Sequence, residues 1–173
     1  MVRAALAPKR RIGQGPRPLA KWIPAGSVVL ASMLVTLPII SLTGWFPDFG
    51  FLVLVAWRLL RSEPWPAWWA APLGLLNDLI GGLPIGQSVF LWSATMLILD
   101  LVDRRTIWRD YWMEWAFACL LLLLNAWMQW NIASWSGAPR PFAAVLPSLL
   151  ISIAAFPIAA WIVARIDRWR LGR

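Results

Sequence analysis

The sequence contains no histidine, and its single cysteine, Cys119, lies inside an apolar run. Without histidine the chain has no His-ligated zinc or haem site and no Ser-His or Cys-His nucleophile pair. One cysteine forms neither an intrachain disulfide nor a thiolate metal cluster. Both lysines lie before residue 22, which leaves no intramembrane lysine to activate a serine. These absences predict a protein without enzyme activity and without a cofactor.

Charged residues are also scarce, at 14% of the 173 residues, whereas hydrophobic residues make up 60%. This apolar excess is not typical of a soluble globular protein, and the length fits one domain. The net charge is +8, but the basic residues lie in clusters between apolar runs and not along one face. That pattern argues against a nucleic-acid partner. Anionic lipid headgroups at the cytoplasmic surface are the expected partners of these charges.

Hydropathy divides the chain into six candidate membrane spans. A hydrocarbon core about 30 Å thick needs about 20 apolar residues in a helix. The predicted spans are Trp22–Leu42, Trp45–Leu60, Pro66–Ile80, Gly86–Val102, Tyr111–Asn131 and Phe142–Ala164. The second to fourth are the shortest, and the second and third form either tilted helices or a re-entrant pair. The predicted fold class is an all-α membrane protein, a bundle of six transmembrane helices.

The distribution of positive charge predicts the orientation of this bundle. With the N-terminus in the cytoplasm, 15 of the 16 Lys and Arg residues fall on the cytoplasmic side and only Arg140 lies outside. Both termini are therefore predicted to be cytoplasmic. The chain divides into a basic flexible tail (1–21), a transmembrane domain (22–166) and a basic C-terminal tail (167–173). No Ala-x-Ala-like site follows the first span, so an uncleaved anchor is expected.

The segment GLLNDLIGGLPIG, residues 74–86, places the acid Asp78 among apolar residues. A carboxylate costs about 2.5–3.5 kcal/mol at the centre of a span and less near an interface. Asp78 lies about two residues from the predicted outer end of its span, where partial hydration lowers this cost. Asp100 lies near the inner end of the next span. The two carboxylates are therefore predicted to be too far apart to share a proton.

The same segment contains a glycine- and proline-rich break. Glycines supply positive φ and proline fixes φ, so Gly81, Gly82 and Pro84 predict a short, stiff exterior turn that ends near Gly86. Gly74 lies one helical turn before Asp78 and provides a small contact on the same helix face.

A set of polar residues is predicted to share the outer half of the membrane. Its members are Asn77, Asp78, Gln87, Asn125 and Gln129. Asn125 and Gln129 are four residues apart and so share one helix face. Three interpretations remain open: an interhelical hydrogen-bond network, a contact with a partner protein, and a pocket for a small molecule.

A stripe of small residues follows the sixth span. Ser148, Ser152, Ala155 and Ala159 recur at spacings of four, three and four. Small residues at such spacing let helix backbones approach closely in lipid. The predicted contact is either internal or with a partner helix.

The chain resembles the MreD family of bacterial rod shape-determining membrane proteins. The resemblance rests on WFPDFGFLVLVAWRLLR, on PWPAWWAAPLGLLNDLIGGLPIG and on the short basic loop DRR. It extends from about Trp22 to Arg165. The residues that match the most specific part are Gly74, Leu75, Leu76, Asp78, Leu79, Gly82, Pro84 and Gly86.

The resemblance implies a non-enzymatic scaffold of the cell-elongation machinery in the bacterial inner membrane. Its implied partners are an MreC-like protein and the complex of RodA with a penicillin-binding transpeptidase, whose peptidoglycan synthesis along the side wall it helps to position. The family's fold is similar to the substrate-binding subunits of energy-coupling-factor transporters. That similarity implies an alternative function, the binding of a small solute or lipid in the membrane.

Overall fold

The computed structural model of the chain describes residues 20–37, 46–60, 66–103, 111–137 and 141–170. All regular structure in these ranges is helical, which confirms the predicted all-α class. The six α-helices of the described residues are α1 (Ile23–Met33), α2 (Phe49–Leu60), α3 (Ala70–Gly81), α4 (Gln87–Asp103), α5 (Tyr111–Trp135) and α6 (Leu146–Arg170). Short 3-10 turns follow α1 and precede α3 and α6.

Two segments are long and apolar enough to cross a membrane, namely Trp112–Trp135 and Phe142–Arg170. Within the first predicted span, α1 continues as a 3-10 turn that ends at Thr36. Leu37 is extended, with a ψ of 130°. Proline follows Leu37 in the sequence, and a residue before proline disfavours helical dihedrals. The rest of that predicted span, 38–42, lies outside the described residues.

Helix α2 forms the centre of the bundle. Its nine buried residues run from Gly50 to Leu59, interrupted only by Val53. It packs against α1 and α6 and also contacts α4 and α5. The apolar run FGFLVLVAW is suited to this position, because a helix that is hydrophobic on all sides has no face to offer to water.

The outer surface of the helices is rich in large apolar side chains. Leu30, Leu97, Leu150 and Trp161 are each more than 60% exposed. Soluble monomers rarely expose contiguous apolar surface on this scale. Hydrocarbon solvates such side chains without penalty, so the surface matches a membrane environment.

Charged residues join the helices at the end of the bundle where α2 terminates. Arg58 is buried and forms an ion pair with Asp100 of α4. Arg170 binds Asp167 through Nε at 2.7 Å, and its guanidinium lies 5.2 Å from the centre of the Trp57 ring. It also donates to the main-chain oxygen of Ala20 at 3.3 Å. These contacts connect α2 to α4 and α6, and α6 to the start of the first helix.

Candidate functional site

Asp78 caps the first turn of the next helix. Its carboxylate is 1% exposed. One oxygen accepts a hydrogen bond from the N–H of Gly86 and the other accepts from the N–H of Ser88, both at 2.8 Å. The first amides of a helix lack partners within the helix, and a negative charge there interacts favourably with the helix dipole. Asp78 of α3 therefore satisfies the N-terminus of α4 across the turn.

The turn between α3 and α4 depends on two glycines. Gly82 has a φ of 61° and ends α3 in the left-handed conformation, with its N–H donated to the Asp78 carbonyl oxygen. The Leu83 N–H donates to the same oxygen at 3.0 Å. Gly86 has a φ of 98°. Gly81 needs no such freedom, since it is the last residue of the helix; only Gly82 of the predicted pair turns the chain.

Gly74 lets the backbones of α3 and α4 approach each other. A Cβ at this position would lie 2.7 Å from the carbonyl carbon and oxygen of Ser88 and from the nitrogen of Val89. All three are backbone atoms, which no side-chain rotation moves aside. The absence of a side chain at Gly74 thus sets the distance over which Asp78 reaches the start of α4.

Asn77 connects this hairpin to the central helix. Its amide group, on a side chain only 6% exposed, donates to Ser88 Oγ at 3.1 Å and to Asp48 Oδ2 at 3.5 Å. Asp48 in turn accepts the N–H of Phe51 at 3.0 Å and so caps the start of α2. We call Asp48, Asn77, Asp78 and Ser88 the cap cluster.

Close packing surrounds the cap cluster where α2 begins. A Cβ at Gly50 would overlap Ser32 Oγ and lie 3.0 Å from Asn77 Oδ1. Sequence reasoning did not assign Asp48 or Ser32 to the site. For Asp48 the signal was present, because Pro-Asp directly before an apolar run is typical of a helix N-terminus. Ser32 carries no comparable signal.

The other predicted polar residues do not join the cap cluster by hydrogen bonds within the described part of the chain. Gln87 is buried at the start of α4, where its main-chain N–H donates to the Pro84 oxygen at 3.0 Å. Asn125 is buried with its side-chain oxygen lacking a donor among the described residues. Gln129 is half-buried. The reason lies in the packing, because α3 contacts α1 and α4, whereas α5 packs chiefly on α6.

The small-residue stripe of α6 lies against the interior of the protein. Ser152 and Ala159 are buried, and Ser148 and Ala155 are half-buried. Ser152 donates to the Ser148 carbonyl at 2.7 Å, and Ser148 Oγ donates to the Phe46 carbonyl at 3.1 Å. Two of its four members, Ser152 and Ala159, are thus buried in the described part of the protein.

The chain was compared with family models, with curated proteins and with solved structures. The family model of the rod shape-determining protein MreD matches residues 19–165. This range includes the cap cluster and all but the last turn of α6. No curated protein and no solved structure matches the chain. The expected likeness to energy-coupling-factor subunits consequently has no solved neighbour to support it.

Proposed function

Since the chain belongs to the MreD family of rod shape-determining membrane proteins, we propose that it is a non-enzymatic scaffold of the cell-elongation machinery. In this role it binds an MreC-like protein and the complex of RodA with its penicillin-binding transpeptidase. It thereby helps to position peptidoglycan synthesis along the side wall.

The observation that carries the proposal is that the residues matching the family motif form and hold the turn between α3 and α4. Both carboxylate oxygens of Asp78 are occupied by backbone N–H groups of the next helix. Gly74, Gly82 and Gly86 supply the close approach and the turn. These residues build a stiff hairpin, and stiffness suits a protein whose function is to hold partners in a fixed arrangement.

We further propose that the chain crosses the bacterial inner membrane six times with both termini in the cytoplasm. The proposal is supported by the family, by two helices long enough to span, and by the charge pattern of the sequence: if the chain alternates across six spans from a cytoplasmic N-terminus, 15 of the 16 basic residues fall on the cytoplasmic side. In this orientation the α3–α4 turn lies at the outer surface. The ion pair of Arg58 with Asp100 lies near the cytoplasmic surface, about 18 Å along α4 from Ser88.

The tip of the α3–α4 hairpin is the surface we assign to partner binding. Ile85 is 76% exposed and Leu79 is 60% exposed. Ile85 lies in the turn, next to Gly86, whose N–H is bound by Asp78, and Leu79 lies in the last turn of α3. A large apolar side chain on a rigid support is the usual anchor of a protein interface.

A photoreactive amino acid at Ile85 is expected to capture the MreC-like protein in living cells. The matched control is Leu97, which is 61% exposed on α4 but away from the hairpin tip. We expect capture from position 85 and little from position 97, with the captured proteins identified by mass spectrometry. Equal capture at both positions, or none of the machinery's proteins at position 85, would show that the tip is not the docking surface.

A further inference from the structure

Helix α1 packs on α2 and α3 with one side and exposes the other. The exposed side carries four residues at spacings of four, four and three, which places them on one face of the helix. They are Trp22, Gly26, Leu30 and Met33, and the three large side chains are each more than half exposed. We call these four residues the α1 face. It shares no residue with the cap cluster or with the tip of the α3–α4 hairpin, so it is a separate surface.

Gly26 forms a notch in the α1 face. A Cβ at this position would meet no atom within 4 Å. Among the glycines of the described residues, Gly26 alone has neither a positive φ nor a neighbour that a Cβ would contact. Glycine inside a helix costs about 1 kcal/mol relative to alanine. No contact within the described part of the chain accounts for this cost.

The notch has a large side chain on either side of it. Trp22 lies one turn before Gly26, and Leu30 lies one turn after it. Trp22 is held in place by an edge-to-face contact with Trp69, with 5.4 Å between the ring centroids. A lipid chain is flexible and covers alanine as well as glycine, so it gives no reason for the notch. A second helix does, because helices in lipid associate where small residues let their backbones approach.

The charge at the start of α1 distinguishes between possible partner helices. Lys21 is exposed directly before Trp22. Residues 1–21 contain six basic residues and no acidic one. Two copies of this chain packed symmetrically through their α1 faces would bring these like charges together. A helix with acidic residues just inside the membrane is attracted instead, and such acids contribute little to the orientation of a span.

We propose that the α1 face binds a transmembrane helix of another protein. This helix places small side chains against Gly26 and carries Asp or Glu beside Lys21 at the cytoplasmic surface. Gly26 lies about 6 Å along α1 from Trp22, so one helix reaches both positions. The inference rests on the orientation and the scaffold role proposed above. It adds a contact within the membrane to the contact assigned to the hairpin tip.

The test is a photoreactive amino acid at Leu30 of the full chain in living cells, with Ile158 of α6, 62% exposed, as the matched position. We expect position 30 to capture a membrane-spanning protein whose sequence, read after identification by mass spectrometry, has acidic residues at the cytoplasmic end of a span. Position 158 should capture about tenfold less of it. Gly26→Leu fills the notch and should lower capture about tenfold, whereas Ala154→Leu adds the same side chain at an exposed position of α6 and should not.

Lys21→Glu reverses the charge beside the notch and should lower capture about threefold or more, whereas Arg165→Glu, at an exposed position near the end of α6, should leave it unchanged. This pair decides the matter if Gly26→Leu fails to fold. Capture of lipid alone, of a second copy of the chain, or of a protein without acidic residues at that end would overturn the proposal. So would capture that Gly26→Leu leaves unchanged in the folded protein. Capture retained at position 85 but absent at position 30 would remove this contact and leave the scaffold role standing.

Discussion

Gly74→Val is expected to destabilise the protein by roughly 3 kcal/mol or more, the upper range for overpacking a closed site. The Cβ of valine would fall 2.7 Å from backbone atoms of Ser88 and Val89. Relief requires α3 and α4 to separate. Separation in turn lengthens the bonds from Asp78 to Gly86 and Ser88, so the substitution damages packing and capping together. Thermal unfolding of the purified protein in detergent, followed by tryptophan fluorescence, measures the effect.

Gly26→Ala is the matched control for this experiment. Gly26 lies inside α1, and a Cβ there would meet no atom within 4 Å. Alanine has the better helix propensity, so stability should stay the same or rise by up to about 1 kcal/mol. If Gly74→Val unfolds at the temperature of Gly26→Ala, then α3 and α4 do not approach as closely as described.

Asp78→Ala is expected to cost roughly 2–4 kcal/mol, because it removes the acceptor of the buried Ser88 N–H and of the part-buried Gly86 N–H, at about 1–3 kcal/mol for a buried group and less for the other. Asp78→Asn keeps one acceptor oxygen and removes the charge from the N-terminus of α4, so its cost should be intermediate. In cells, the alanine variant should lower the amount of the protein in the membrane and cause loss of rod shape, with the asparagine variant again in between.

Asn131→Ala serves as the control for the loss of a polar side chain in a membrane helix. The Asn131 amide donates to the Trp127 carbonyl of its own helix at 2.8 Å. Its removal leaves no buried group unpaired, and both unfolding temperature and cell shape should stay near those of wild type. Asp78→Ala behaving like Asn131→Ala would mean that the carboxylate contributes little to the hairpin.

The positions of the helices were largely predictable from the sequence, for a simple physical reason. A helix in hydrocarbon must be apolar over its length and is bounded by charge, proline or glycine, so hydropathy alone locates it. Boundaries were less predictable. Helix α6 continues through Arg170, because Asp167 and Arg170 form an ion pair and the Arg170 guanidinium lies over the Trp57 ring.

The candidate site was predictable only in part. The acid at position 78 and the glycines around it mark an unusual segment, but the partner of the carboxylate depends on the conformation of the turn at Gly82 and Gly86. The hydrogen bond from Asn77 to Asp48 depends on where the start of α2 lies relative to α3. The hydrophobic periodicity of the sequence does not specify that placement. The polar face of Asn125 suggested a cluster shared with α3 if the two helices face one another; among the described residues α5 packs chiefly on α6, and α3 on α1 and α4.

Amide hydrogen exchange at Gly86 and Ser88 tests the central claim most directly, namely that the Asp78 carboxylate holds the start of α4. The reference amides are those of Thr95 and Met96, which lie in the middle of the same helix. In Asp78→Ala, the amides of Gly86 and Ser88 should exchange about tenfold faster or more, the equivalent of about 1.4 kcal/mol, while the reference amides keep their protection. Unchanged exchange at Gly86 and Ser88 in a folded Asp78→Ala variant would contradict the account.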